Sequence, residues 1–447
     1  SVSDHTHHSH ETRLSTISSK VDSIATTSEM TGPPVPPGYV RSKLEQVVRE
    51  QGFVEFTIEY APGSKQGDGF IGQIVRARIR GDRRKPPPDD GEALEKDQQW
   101  SVICKYLLDD PALREKFNSM VLFAREVFVY REVLTEFERF QLDHGLVRGD
   151  EVGFWNYLRC YWAGHDEERG ESLLILEDLA ERRMVLKDKY VPTDFEHTEP
   201  LMVALGKLNA CSFALKQQRP EVFAKIRQLD FLTHLVMSTE QTAPLAGRNC
   251  RLAASLFTGA TRDRFLALQD CLWEKARQQV APEKVEPYAA FSHGDCWINN
   301  VMYGYDATSG AVNELVLLDW QMANYGPPTA DLHSFVHLCG QVELRREKLP
   351  TLLDTFHGAF AGTFRRLGGG DDPEQTLSRD MIPRLMNRFG GPVFAMGVFG
   401  MPILCQLPED FFQEDEAGRR KEQYRESYGR YVQMVKEFAV DMEEVDF

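Results

Sequence analysis

Positive charge is in short supply in this 447-residue chain. Lys and Arg number 52 against 68 Asp and Glu, leaving a formal net charge of −16. Nucleic acids and anionic lipid faces are held through a basic footprint, so neither is expected as a general partner. Long hydrophobic runs are missing too. None approaches the ~18 residues a membrane-crossing helix needs, and Ser1 to Thr31 has no apolar segment of the secretory-signal kind, so no membrane insertion is expected. Cysteine is sparse and scattered, at positions 104, 160, 211, 250, 271, 296, 339 and 405, with no CxxC. In a chain of this length that spacing reads as free thiols in a reducing compartment, hence a cytoplasmic location. GK[ST], GxSxG, HExxH and the EF-hand loop are also absent, which removes Walker-type nucleotide sites, nucleophile-elbow hydrolases, zincins and calcium loops.

What is present suits large buried cores: 42% hydrophobic and 27% charged residues, enough for two lobes and a tail. Residues 1–36 are rich in Ser, Thr and His and end in a Pro run. They are expected to be a disordered tail, with His5, His7, His8 and His10 solvated rather than metal-binding. An amphipathic helix is expected from Tyr39 to Gln51. Strands follow at Phe53 to Tyr60, Gln73 to Arg80 and Trp100 to Tyr106, each alternating with period two, which makes an antiparallel sheet. Residues 81–99, with three prolines and many charges, read as an exposed loop. Pro111 to Leu134 reads as helix, Leu173 to Leu176 and Leu315 to Leu318 as buried strands, Thr193 to Leu215 as a helix capped at Thr193 or Asp194, and 340–447 as mostly helical. The expected division is 37–176 as a β-rich N-terminal lobe and 177–447 as an α-rich C-terminal lobe.

Gly67-Asp-Gly69-Phe70-Ile-Gly72 fits GxGxxG. A dinucleotide fold would need a helix straight after it; a period-two strand follows instead. A strand, glycine loop and strand can lay backbone amides over nucleotide phosphates, as in kinases. That reading requires a lysine on the third strand and an acidic partner on the next helix. Lys105 ends Trp100-Ser-Val-Ile-Cys-Lys105, and Glu126 sits in Phe123-Ala-Arg-Glu126, with Glu132 and Glu136 less well placed.

The densest chemistry lies in Phe291-Ser-His293-Gly-Asp295-Cys-Trp-Ile-Asn-Asn300, an H-x-D-x-x-x-x-N arrangement, followed by Leu315-Val-Leu-Leu-Asp319-Trp-Gln. Phosphoryl transfer needs a carboxylate beside the attacking hydroxyl and oxygen ligands for Mg²⁺ close by. An aspartate ending an apolar strand is costly unless ligated or hydrogen-bonded. Asp295 is therefore the candidate catalytic residue, and Asp319 the candidate Mg²⁺ ligand with Asn300. Ser292, His293 and Asp295 are too close in sequence to form a hydrolase triad, and Cys296 reads as a packed thiol.

At these residues the sequence resembles the ecdysteroid kinase-like family, grouped with aminoglycoside and choline kinases. The resemblance is carried by Gly63-Ser-Lys-Gln-Gly67-Asp-Gly-Phe70, Ser101-Val-Ile-Cys-Lys105, Phe123 to Leu134, Leu174-Ile-Leu-Glu177-Asp178-Leu179, His293 to Asn300, Leu318-Asp319-Trp-Gln321, and Tyr325 to Leu332. It implies an α+β, bilobal protein-kinase-like fold with a small antiparallel β-rich N-lobe, a larger helical C-lobe and the nucleotide in the cleft. It implies ATP and Mg²⁺ as cofactors, with Asp295 as base. Gly67, Gly69, Phe70, Gly72, Lys105 and Glu126 would serve the phosphates, and Leu176, Glu177 and Asp178 would form the adenine-bonding hinge. Asp331 resembles an aspartate bracing the catalytic loop, and would equally serve as a helix cap. With few residues between Asp319 and the Gly326-Pro327-Pro328 turn, no platform for a peptide acceptor is evident, nor any obligate protein partner. The expected activity is phosphotransfer to a hydroxyl of a hydrophobic alcohol, most simply an ecdysteroid. The alternatives are a xenobiotic glycoside or choline-like alcohol as acceptor, or a catalytically inactive small-molecule-binding protein.

Overall fold

The computed structural model describes residues 35–63, 72–84, 94–116, 118–230, 243–370, 372–412 and 422–446. Residues 1–34 of the expected 1–36 tail and the glycine-loop positions Gly67, Gly69 and Phe70 lie outside them. The chain divides into two compact units. One takes the described residues of Ser1–Ser119, Cys160–Asp178 and Pro408–Ala417; the other takes those of Met120–Arg159, Leu179–Leu407 and Gly418–Phe447.

The first unit is a five-stranded antiparallel sheet with a helix on one face. Strand β1 is Phe53–Pro62, β2 Gly72–Arg84, β3 Leu94–Leu107, β4 Cys160–Asp166 and β5 Glu171–Glu177, in the order β1-β2-β3-β5-β4. Helix α1, Gly38–Glu50, follows Pro37 and places Val40, Leu44, Val47 and Val48 on one stripe. That stripe packs on alternate sheet residues, Val75, Ala77 and Ile79 of β2, Val102, Cys104 and Tyr106 of β3, and Leu173 and Ile175 of β5. Two expectations are corrected here. The polar segment 81–99 is not loop throughout, since β2 runs on to Arg84 and β3 begins at Leu94. Ladder bonds and the Arg80–Asp97 and Lys96–Asp82 ion pairs carry the hairpin beyond its apolar core. Strand β4 escaped sequence reading because every one of its residues is half-buried, so no alternation shows.

The second unit is mainly helical. Pro111 to Leu134, whose residues up to Ser119 belong to the first unit, is not one helix: Asn118, with φ 49°, interrupts it. Helix α2, Ser119–Phe128, then continues through a π-helical stretch at Val129–Leu134 into α3, Thr135–Asp143. The long central helix α4, Phe195–Gln218, starts at Asp194, whose side chain accepts from the His197 N–H. It packs along α5, Leu349–Arg366, and Gly206 admits the close approach; a Cβ there would stand 2.3 Å from the Phe356 carbonyl oxygen. Strand β6, Val185–Leu186, joins β8, Val301–Tyr305, and β9, Val312–Leu317, in a small antiparallel sheet ordered β6-β8-β9. Strands β7, Ala290–Ser292, and β10, Asn324–Gly326, form an antiparallel pair. Helices α6, Gly391–Leu404, and α7, Arg425–Asp441, complete the described C-terminal part. The α+β class is as expected. Among the described residues no helix is long and apolar enough to cross a membrane, and all eight cysteines are free.

Candidate active site

The second unit assembles the acidic centre. Strand β7 ends at Ser292 and hands the chain to His293, Gly294 and Asp295. His293 is fully buried and acts as an internal brace. The Asp295 N–H donates to its Nδ1 at 3.3 Å, so the proton sits on Nε2, which donates to the Leu318 carbonyl at 2.8 Å. Burial holds its basicity below the usual histidine range, which favours this neutral form. Asp331 supplies a second brace. Its carboxylate accepts the His293 N–H at 2.7 Å and the Gly294 N–H at 2.9 Å. Burial pushes that carboxyl up, and the two N–H bonds pull it part of the way back. Gly294 is required where it stands: φ is +80°, and a Cβ would lie 2.0 Å from the Met322 carbonyl oxygen.

Asn300 closes a 3₁₀ turn, Ile298–Asn300, and is buried. Its Nδ2 donates to both the carbonyl and Oδ2 of Asp295, each at 2.9 Å. Its own carbonyl accepts the Leu318 N–H at 2.9 Å, one step beyond the Val301–Leu317 pair of the β8–β9 ladder. Leu318 is thus held from both sides, by Asn300 and by His293, and the next residue is Asp319. Asp319 has φ 64° and ψ 72°, left-handed backbone that costs a non-glycine residue on the order of 1–3 kcal/mol and is kept only where its surroundings impose it. Hydrogen bonds therefore join Asp295 to Asn300 and Asn300 to Leu318, and Asp319 follows Leu318 directly in the chain.

The donor set suits Mg²⁺. With the Asn300 Nδ2 committed to Asp295, the amide offers Oδ1 and Asp319 offers a carboxylate. Mg²⁺ is commonly held by one or two such oxygens together with waters and substrate phosphates. Among the described residues no cluster of three His, Cys, Asp or Glu could hold a metal ion, so an all-protein cage is not part of this arrangement. Two rival chemistries fail on geometry. Ser292 Oγ donates to the Pro327 carbonyl at 3.2 Å and His293 Nε2 to Leu318, so no triad forms. Cys296 is buried, which pushes its thiol well above the ordinary range and makes it a packed thiol. Trp320, fully buried and stacked on Phe291 at 5.9 Å, belongs to the core.

Other expected positions fall in the first unit. Lys105 lies on β3 opposite Ile74 of β2 and Leu174 of β5, on the sheet face away from α1, and is buried. Leu176 pairs with Ile103 and Glu177 with Val102. Gly72 is the first residue of β2, paired with Leu107. The Asp178 carboxylate takes Arg76 Nε at 2.6 Å, Arg76 Nη2 at 3.3 Å and Ser101 Oγ at 2.6 Å, which fastens the end of β5 to β2 and β3. Sequence reading did not reach the bonds that Arg76 and Ser101 make to Asp178. The two residues lie 102 and 77 residues from Asp178; Arg76 stands in no motif, and Ser101 opens the Ser101-Val-Ile-Cys-Lys105 segment without any local sign of its bond to Asp178. Glu126 lies on α2 in the second unit and is 1% exposed.

Comparison with known proteins gives a family match and distant structural likenesses. The family model described as ecdysteroid kinase-like matches residues 66–369, more than half of the chain. The GDP complex of wild-type aminoglycoside 2′-phosphotransferase-IIIa is similar at 11% identity with a TM-score of 0.35, covering 89% of this chain and 98% of that one. Macrolide 2′-phosphotransferase MphH from Brachybacterium faecium, an apoenzyme, is similar at 11% identity and a TM-score of 0.32, covering 80% and 93%. No curated protein sequence gives a significant match.

Proposed function

The chain belongs to the ecdysteroid kinase-like family, and we propose that it is an ATP- and Mg²⁺-dependent small-molecule kinase, cytoplasmic, whose acceptor is a hydroxyl of a hydrophobic alcohol, most simply an ecdysteroid. The observation that carries the reading is the Asp295–Asn300–Leu318–Asp319 linkage. It bonds the Asn300 amide to Asp295 and the Asn300 carbonyl to Leu318, the residue before Asp319, which supports reading the three as one acidic centre.

In this reading Asn300 Oδ1 and the Asp319 carboxylate hold Mg²⁺, which when bound neutralises charge on the phosphate oxygens. Asp295 orients the acceptor hydroxyl and takes its proton. A bond forms from that oxygen to the γ-phosphorus, the bond from the γ-phosphorus to the bridging oxygen of ADP breaks, and ADP leaves with the electron pair. Of the two Asn300 bonds, the one to Oδ2 orients the Asp295 carboxylate and the one to its carbonyl steadies the backbone, as His293 and Asp331 do, so little reorganisation accompanies transfer. Lys105 is assigned to the nucleotide phosphates with Glu126 as its acidic partner. Gly67, Gly69, Phe70 and Gly72 are assigned to phosphate cover, and Leu176, Glu177 and Asp178 to adenine.

Mass spectrometry of reactions with Mg-ATP and a panel of ecdysteroids, plant-toxin glycosides and choline tests the acceptor. A phosphate adduct on a steroid is expected. Adducts on glycosides or choline alone would replace the acceptor class, and a protein that binds Mg-ATP yet modifies nothing in a whole-extract screen would count against a kinase.

A further inference from the structure

Asp319 holds a strained backbone, and strain of that kind lasts only if both flanks of the turn are fixed. The leading flank is Leu318, tied to Asn300 and His293. The trailing flank is Ala323, whose N–H closes the 3₁₀ turn onto the Trp320 carbonyl at 3.1 Å. The Ala323 carbonyl is held from another element. Arg125, on α2, donates from Nη2 to the Ala323 carbonyl at 2.7 Å and to the Asp230 carbonyl at 2.7 Å, while its Nη1 donates to Asp230 Oδ1 at 3.2 Å.

Several features make this more than a surface ion pair. The Arg125 side chain is 11% exposed, and two of its three acceptors are main-chain carbonyls. The Tyr325 N–H donates to the Leu229 carbonyl at 2.6 Å, so the chain stretches Arg125 bridges are also joined directly. Residues 324–326 form β10, with Asn324 opposite Ser292 of β7, the strand that runs into His293 and Asp295. One guanidinium therefore ties α2 to the stretch that ends the Asp319 turn and lies against the Asp295 strand. Lysine offers a single cationic head in place of the planar fork, whose Nη2 takes both carbonyls while Nη1 takes the Asp230 carboxylate.

We propose that Arg125 is a positioning residue that keeps the Asp319 turn in its metal-ligating conformation. This rests on the reading of Asp319 as a Mg²⁺ ligand. Without the guanidinium the Ala323 carbonyl loses its charged donor, the turn relaxes toward ordinary backbone, and the Asp319 carboxylate is no longer held in one direction.

The test uses the full chain with Mn²⁺ and a non-hydrolysable ATP analogue, free Mn²⁺ being read by electron spin resonance. Wild type, Arg125→Gln and Arg125→Lys are compared, with metal-free nucleotide binding and melting temperature measured alongside. Arg125→Gln is expected to weaken Mn²⁺ binding about tenfold while leaving metal-free nucleotide affinity within about twofold, and Arg125→Lys to recover part of the loss. Unchanged Mn²⁺ affinity in folded Arg125→Gln overturns the proposal, as does equal loss of metal-free nucleotide binding. If Arg125→Gln does not fold, a folded Arg125→Lys with wild-type Mn²⁺ affinity overturns it and a weakened one supports it. If wild type itself binds no Mn²⁺ with the analogue, the metal reading of Asp319 fails and the proposal falls with it.

Discussion

Mild acid should destabilise the second unit through three buried histidines. His293 faces Asp331, Asp319 and the Leu318 carbonyl. His333 faces His337, with ring centroids 4.5 Å apart. His337 faces the His333 carbonyl, Arg345 and Asp441. Burial lowers all three, His337 to about 4 and His333 well below its usual value, so each is neutral in the folded chain at pH 7. Unfolded histidine titrates near 6.5, so below that pH the unfolded chain binds protons the folded chain refuses, and stability falls as pH falls. Between pH 7 and 5.5 a histidine held near 4, as His337 is, forfeits about 1 kcal/mol, and His333 and His293, both lowered, add to the loss in the same sense. Asp331, with its carboxyl raised, works in the opposite sense. Asp194 and Glu286, both lowered, lose their contributions only below about pH 4.5, outside this window. Denaturant unfolding followed by tryptophan fluorescence at the two pH values measures the difference. A free energy unchanged within about 0.5 kcal/mol, or higher at pH 5.5, would refute the reasoning.

Two substitutions probe the loop braces. Asp331→Asn leaves one acceptor oxygen for two N–H groups and should cost about 2–4 kcal/mol of stability with at least a tenfold fall in kcat; unaltered kcat in the folded variant would remove Asp331 from the bracing role. Gly294→Ala drives a methyl into the Met322 carbonyl at a left-handed position, so calorimetry should show a loss of at least about 2 kcal/mol, and a wild-type melting temperature would show that the turn gives way easily.

Much of the fold was legible because it is written in local periodicity. Val40, Leu44, Val47 and Val48 mark α1, and Val75, Ala77 and Ile79 mark the buried face of β2. The polar ends of the β2–β3 hairpin and the half-buried β4 were not legible, since neither has a fully buried face to impose alternation. Asp295, Asn300 and Asp319 could be singled out by spacing alone. Their supports could not. The neutral His293 bonded to Leu318, the left-handed Asp319, and Arg125 reaching Ala323 across 198 positions arise from packing between distant segments.

The most direct test of the account separates binding from chemistry at one residue. Transfer from Mg-ATP to the identified acceptor is followed by rapid quench in wild type and Asp295→Asn, with Mg-ATP affinity determined on the same samples. The account predicts a fall in the transfer rate of at least about a hundredfold, with nucleotide affinity within a few-fold of wild type. Undiminished transfer, or loss of nucleotide binding in a folded Asp295→Asn protein, would contradict the assignment of Asp295 as the residue that takes the acceptor's proton.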